Sequence, residues 1–166
     1  NGRAFCAGAD LKAAKERMAG ADAATVNSQF LDALRHLLLR IEGFPAPVIA
    51  AVNGLALAGG MELLLACDLV LAAESAKLGD AHANYGLVPG GGSSVRLPRK
   101  IGPTRAKQLI FTGAFLPARQ MLDWGLVNQV VPDDGLQAAV DELIATLAAR
   151  SPVGLRRMKR MIDDGQ

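Results

Sequence analysis

The stretch Asn53-Gly54-Leu55-Ala56-Leu57-Ala58-Gly59-Gly60-Met61-Glu62-Leu63 decides the fold. Just before it, residues 47–52 (PVIAAV) are short, apolar and bounded by Pro and Asn-Gly, which reads as a buried strand. From Gly59 to Cys67 the pattern is a helix start running into a Leu-rich helix, and residues 68–73 (DLVLAA) read as a second buried strand. Strand, helix and strand make a βαβ-like unit and an α/β fold. Gly59 and Gly60 permit close approach of backbone, and the first-turn amides of a helix lack intrahelical partners. Those amides and the positive helix end favour an oxygen that is gaining negative charge. Glu62 lies on the same first turn, so an oxyanion donor and a carboxylate are neighbours by construction. Position alone leaves both features open. An acidic first-turn residue also stabilises or caps a helix, and a Gly pair also serves tight helix-to-sheet packing.

Outward from this centre, Phe30, Leu34, Leu37, Leu38 and Ile41 recur at helical spacing within residues 26–41, with Asn27 or Ser28 as N-cap and Pro45 and Pro47 as the stop. Residues 79–94 are Gly-rich and read as a loop. Helices are expected over 94–100, 103–111 and 117–124, the last closed by Gly125, followed by a strand at 126–131 (LVNQVV). Amphipathic helices over 133–150 and 152–162 complete the pattern.

The 166 residues fit one domain with room for a core, and 51% hydrophobic against 20% charged residues argues against disorder. With 4% aromatics, that core is built of Ala, Leu, Val and Ile. A net charge of +2 does not fit a nucleic-acid binder, so no nucleic-acid partner is expected. Cys6 and Cys67 sit in apolar runs and read as buried free thiols; they make neither a disulfide framework nor a metal site. The apolar stretch 63–73 is broken by Asp68 and too short for a bilayer, and no signal-peptide pattern is present, so a cytoplasmic protein with no membrane partner is the expectation. The chain starts without Met, directly in a motif, and stops just after a helical pattern, as expected of a fragment.

A second motif, Arg3-Ala4-Phe5-Cys6-Ala7-Gly8-Ala9-Asp10-Leu11-Lys12, together with residues 47–68, resembles the crotonase family of enoyl-CoA hydratases and isomerases. Ala58 stands where many members have the first of three glycines. The resemblance continues through Gly86-Leu87-Val88-Pro89-Gly90-Gly91-Gly92, Arg96-Leu97, Leu109-Ile110-Phe111-Thr112-Gly113, Gly125-Leu126-Val127 and Ser151-Pro152. It implies a spiral of ββα units over residues 1–115, with early strands of the family's core absent from this chain. A C-terminal helical region over 116–166 would form trimers, giving a homotrimer or hexamer. It also implies an acyl-CoA substrate, oxyanion-hole amides at Ala9 and Gly59, and proton transfer by Glu62. The backbone of Ala7, Gly8, Ala9, Asp10 and Leu11 would lie along coenzyme A, and Gly60, Pro89 and Gly90 would line the substrate pocket. Coenzyme A enters as part of the substrate; no separate cofactor and no metal is expected.

One departure limits the reaction assignment. Family hydratases use two glutamates, and the second falls at His82, in Asp80-Ala81-His82-Ala83-Asn84. Three readings follow: His82 replaces the glutamate as acid or base, Asp80 reaches the site instead, or Glu62 acts alone. A hydrolase, decarboxylase or ring-cleaving member, or a non-catalytic acyl-CoA-binding member, is therefore the alternative to a hydratase or isomerase. The basic run Arg156, Arg157, Lys159 and Arg160 reads as a solvated face, or, with Lys12, as a contact for coenzyme A phosphates. His36 is assigned no role.

Overall fold

The apolar run at the centre of the chain does form a strand. In the computed structural model, which describes residues 2–10, 12, 13, 16, 19 and 22–165, it is β2 (Ile49–Val52). It pairs in parallel with β4 (Leu69–Ala73) in the register Ile49↔Leu69 to Val52↔Ala72. Between them in sequence lies a strand that the sequence reading missed, β3 (Leu55–Leu57), which joins a different sheet. Asn53-Gly54 is the step between sheets, so the βαβ-like unit is a ββα unit: β2, β3, then helix α2 (Gly59–Leu65), then β4. Three residues are too few for an alternating pattern to stand out from the run that precedes them.

The same step repeats. After β4 the chain crosses to β5 (Lys77–Gly79), which pairs in parallel with β3, and then passes through a 3₁₀ turn, His82–Tyr85, to helix α3 (Ser93–Ile101). One sheet has the order β1 (Ala4–Cys6), β3, β5, β6 (Leu116–Pro117); the other runs β2, β4, β7 (Gln129–Val131). Among the described residues, only β5 with β6 pairs antiparallel. The main core, including Val52, Met61, Leu64, Leu78, Leu97 and Leu109, lies among the strands, α2, α3 and α4 (Pro103–Thr112). Each such Leu stabilises the fold by about 2 kcal/mol through burial. A smaller cluster, Leu71 and Ala73 with Leu136 and Val140, seats helix α6 (Leu136–Ala148) on the second sheet.

Several element ends differ from the sequence reading. Helix α1 spans Ala23–Glu42, placing Asn27 and Ser28 inside it, and Asp22 at its N-cap makes no side-chain cap bond. Apolar spacing marks only the packed part of a helix, whereas Ala-rich residues extend it. The strand expected over 126–131 is confined to β7, because Leu126 and Val127 direct their N–H groups to the Met121 carbonyl. Asn128 takes over the pairing at this point: its N–H donates to the Val70 carbonyl and its Oδ1 accepts from Val70 N–H, both at 2.8 Å. Gly135 divides the helix expected over 133–150 into a 3₁₀ turn, Asp133–Gly135, and α6. Residues 116–131, grouped by sequence with the C-terminal region, contribute β6, α5 (Ala118–Asp123) and β7, and both strands pair with core strands.

Helix α7 (Pro152–Asp163) begins with Ser151, whose Oγ accepts from Gly154 N–H, and is tied back by Lys159. Lys159 Nζ lies 2.7 Å from Asp68 Oδ2, and its side chain is only 9% exposed, so this member of the basic run is not on a solvated face. Asp68 Oδ2 also accepts from Val48 N–H at 2.7 Å. Both sequence-expected thiols are free, Cys67 buried and Cys6 half-buried.

Candidate active site

Parallel pairing of β1 with β3 sets the site. The two strands leave the sheet in the same direction, so residues 7–10 and 58–60 emerge side by side. Gly60 packs so closely under β1 that a Cβ there would overlap the Cys6 carbonyl oxygen. Gly8 has φ +95°, and a Cβ on it would stand 3.1 Å from Ala58 Cβ and 3.4 Å from Gly59 N. From the other side, a Cβ on Gly59 would stand 3.6 Å from Gly8 Cα and 3.9 Å from Ala9 N. The Gly8–Ala9 backbone and Gly59 therefore lie close together, with room for no more than a Cβ between them.

The turn into α2 runs through Ala58, with φ 50° and ψ −118°, a region that residues with a Cβ rarely enter. Its carbonyl accepts the first helical bond, from Glu62 N–H at 3.0 Å. The N–H of Gly59, ahead of that bond, has no acceptor within the helix. Among the described residues the Ala9 N–H takes part in no turn, loop or cap bond. Ala7, Ala9 and Asp10 are exposed and Gly8 is half-buried. The Asp10 carboxylate is engaged locally, accepting from the N–H groups of Lys12 and Ala13 at 2.7 and 3.1 Å. Leu11, expected along coenzyme A, lies outside the described residues.

Glu62 is 1% exposed. Its Oε1 accepts from Gly91 N–H at 2.7 Å and Ser93 N–H at 3.3 Å. Burial pushes its pKa above the ordinary carboxylate value and outweighs the N–H groups of Ser93 and Gly91 and the charge of His82, which favour the anion; the Asp80 charge adds to the rise. The sequence reading missed Gly91 and Ser93 as partners. A Gly-rich turn was legible, but nothing local says which carboxylate its N–H groups meet. Pro89 is half-buried and Gly90 exposed, and this turn packs on α1, where a Cβ at Gly90 would meet Leu31 Cδ2 at 2.6 Å.

The 3₁₀ turn brings up the third group. Ala81, in the left-handed region at φ 62°, sets the backbone between Asp80 and His82. Asp80 is fully buried; its Oδ1 lies 2.9 Å from His82 Nδ1, and among the described residues its Oδ2 has no partner. The Ser93 hydroxyl is likewise buried without a partner among them. Burial works against the His82 cation, but the hydrogen bond and charge of Asp80, with the charge of Glu62, hold its pKa above the ordinary imidazole value. The bond to Asp80 occupies Nδ1 and leaves Nε2 for exchange. The sequence readings treated Asp80 and His82 as alternatives for the site; the structure pairs them with each other. Among the described residues, no three His, Cys, Asp or Glu side chains gather as a metal site, and no helix is long and apolar enough to cross a membrane.

Comparison with known proteins shows what the chain as a whole is similar to. The sequence pattern described as enoyl-CoA hydratase/isomerase matches residues 1–165. The chain is 43% identical over 166 residues to the enoyl-CoA isomerase/hydratase fer4 of Mycosarcoma maydis, covering 99% of this chain and 59% of that protein. It is 44% identical over 165 residues to the mitochondrial enoyl-CoA hydratase domain-containing protein 2 of Bos taurus, covering 97% of this chain and 54% of the relative. Among solved structures it is similar to enoyl-CoA hydratase from Bacillus anthracis, with TM-score 0.91, 42% identity, and 99% of this chain on 62% of that one. It superposes on an enoyl-CoA hydratase from Polaromonas sp. JS666 with TM-score 0.94 and 33% identity, covering 99% of this chain and 63% of the other. The chain thus spans little more than half the length of the relatives it matches.

Proposed function

Because this chain belongs to the enoyl-CoA hydratase/isomerase family, the crotonase family, we propose that the intact protein acts on acyl-CoA thioesters through an enolate. The observation that carries the reading is the close approach of the Gly8–Ala9 backbone to Gly59, one helical turn from a buried Glu62. The N–H groups of Ala9 and Gly59 receive the thioester oxygen, and each donor is worth about 3 kcal/mol to the developing enolate. Glu62 moves the proton. In hydration it takes a proton from water as hydroxide adds to the β-carbon, and the enolate is then protonated at the α-carbon by the His82 cation. In isomerisation Glu62 removes a proton from one carbon and returns it to another. The chain along residues 7–11 supports coenzyme A, which is part of the substrate, and Gly60, Pro89 and Gly90 border the acyl group. The assembly is a homotrimer or hexamer.

The Asp80–His82 pair favours a second reading, hydrolysis, in which His82 takes the proton of an attacking water. Crotonyl-CoA separates the two. Loss of enone absorbance with the thioester intact supports hydration, whereas thiol release supports hydrolysis. Glu62→Gln should retain acyl-CoA binding and lose about a hundredfold or more of turnover. Full turnover in that variant contradicts the assignment, and inactivity of the unmodified protein over a broad acyl-CoA panel leaves a binding role.

A further inference from the structure

Glu62 is held by a backbone segment that is itself held from outside the site. Arg96, one turn into α3, donates from Nη1 to the Gly91 carbonyl at 2.6 Å. The rest of its guanidinium meets both carboxylate oxygens of Glu42, Nε to Oε1 at 2.5 Å and Nη2 to Oε2 at 2.8 Å. Residue 91 is thus gripped on two sides: its carbonyl by Arg96 and its N–H by Glu62 Oε1 at 2.7 Å. Arg96 is largely buried, at 14% exposure, and Glu42 is the last residue of α1. An anion at a helix C-terminus is electrostatically misplaced, so Glu42 owes its setting there to Arg96 and not to its helix.

We propose that the Glu42–Arg96 pair is a positioning device for Glu62, fixing the residues 91–93 backbone in the place from which it donates to the carboxylate. The proposal rests on the reading of Glu62 as the proton-transferring group. Three elements converge on the arrangement: α1 supplies Glu42 and packs Leu34 near Gly91, α2 supplies Glu62, and α3 supplies Arg96. Among the described residues, the charged groups facing Glu62 are His82 at the start of the 3₁₀ turn, Asp80 between β5 and that turn, and Arg96 from α3. Without the clamp the two N–H groups drift from Oε1, the anion loses the donors that favour it, and its proton affinity rises. Arg96 acts through Gly91 and is a positioning residue, not one that touches substrate.

The test uses Arg96→Lys, Arg96→Met and Glu42→Gln in the intact protein, with turnover measured across pH, acyl-CoA binding and thermal melting. A lysine keeps the charge but cannot span both Glu42 oxygens and the Gly91 carbonyl at once. The expected result for Arg96→Lys is a folded protein that binds acyl-CoA normally. Its turnover falls by about tenfold or more, and the pH limb set by Glu62 moves to higher pH. Glu42→Gln moves the same limb in the same direction by less, and carries the test where Arg96→Met does not fold. Lower melting temperatures with unchanged turnover and pH profile in the folded variants, while Glu62→Gln is inactive, overturn this proposal alone. Full turnover in Glu62→Gln overturns the reading of Glu62 and this proposal with it.

Discussion

At the scale of single residues, the site is a set of small groups that have been denied alternatives. Ala58 holds a backbone conformation suited to glycine, with φ 50° and ψ −118°. Such strain is worth about 1–3 kcal/mol, partly offset by the greater unfolded-state entropy of glycine. Ala58→Gly should therefore stabilise the protein by up to about 1 kcal/mol in chemical denaturation, and a loss of stability would contradict the strain. Asp80→Asn tests the histidine. Because Asp80 holds the His82 pKa up, the cation persists to higher pH than for a free imidazole, and its stabilising contribution is lost as pH rises through that pKa. The variant should titrate His82 at lower pH by NMR and move the alkaline limb of turnover the same way; an unmoved His82 titration refutes the pairing. Glu62 stood out in the sequence as a first-turn acid after a Gly pair, though position alone left a capping role open, and His82 was singled out only through the family resemblance. The Asp80–His82 contact was less legible, since whether two residues in a turn meet depends on an unusual φ at Ala81.

At the scale of elements, α7 shows why a charge pattern misleads. Four basic residues on an amphipathic helix read as a wet face, but Lys159 reaches Asp68, 91 positions away in sequence. Asp68 in turn satisfies Val48 N–H at the approach to β2, so one carboxylate fastens the C-terminal helix to the start of a core strand. Asp68→Ala leaves a part-buried ammonium and an N–H without their acceptor, and unfolding in denaturant should show a loss of about 2–4 kcal/mol. A change within 0.5 kcal/mol would mean that α7 is seated by its apolar face alone. The strands divide by the same logic of local signal. β2 and β4 announce themselves as continuous apolar runs, whereas β3 and β5 are three residues each and exist because they pair. The Glu42–Arg96 pair joins residues 54 apart and left no mark in either local pattern.

At the scale of the whole molecule, the repeated step from one sheet to the other brings the candidate site groups together. β3 delivers Ala58 and the start of α2 beside the end of β1, and β5 delivers Asp80 and His82 next to the same edge. The family resemblance made this architecture readable in advance, because periodicity alone finds neither the second sheet nor its order. The assembly proposal belongs to this scale. Sedimentation of the intact protein at micromolar concentration should give a trimer or its double, and a monomer would refute it.

The central claim is that the N–H groups of Ala9 and Gly59 share one carbonyl oxygen. Infrared difference spectroscopy on the intact protein with a ¹³C-carbonyl-labelled 2-enoyl-CoA tests it most directly, with Glu62→Gln used to hold the substrate unreacted. The account predicts a thioester carbonyl stretch clearly lower in the complex than in water, as two converging donors polarise the bond. A stretch at or above its value in water would contradict it.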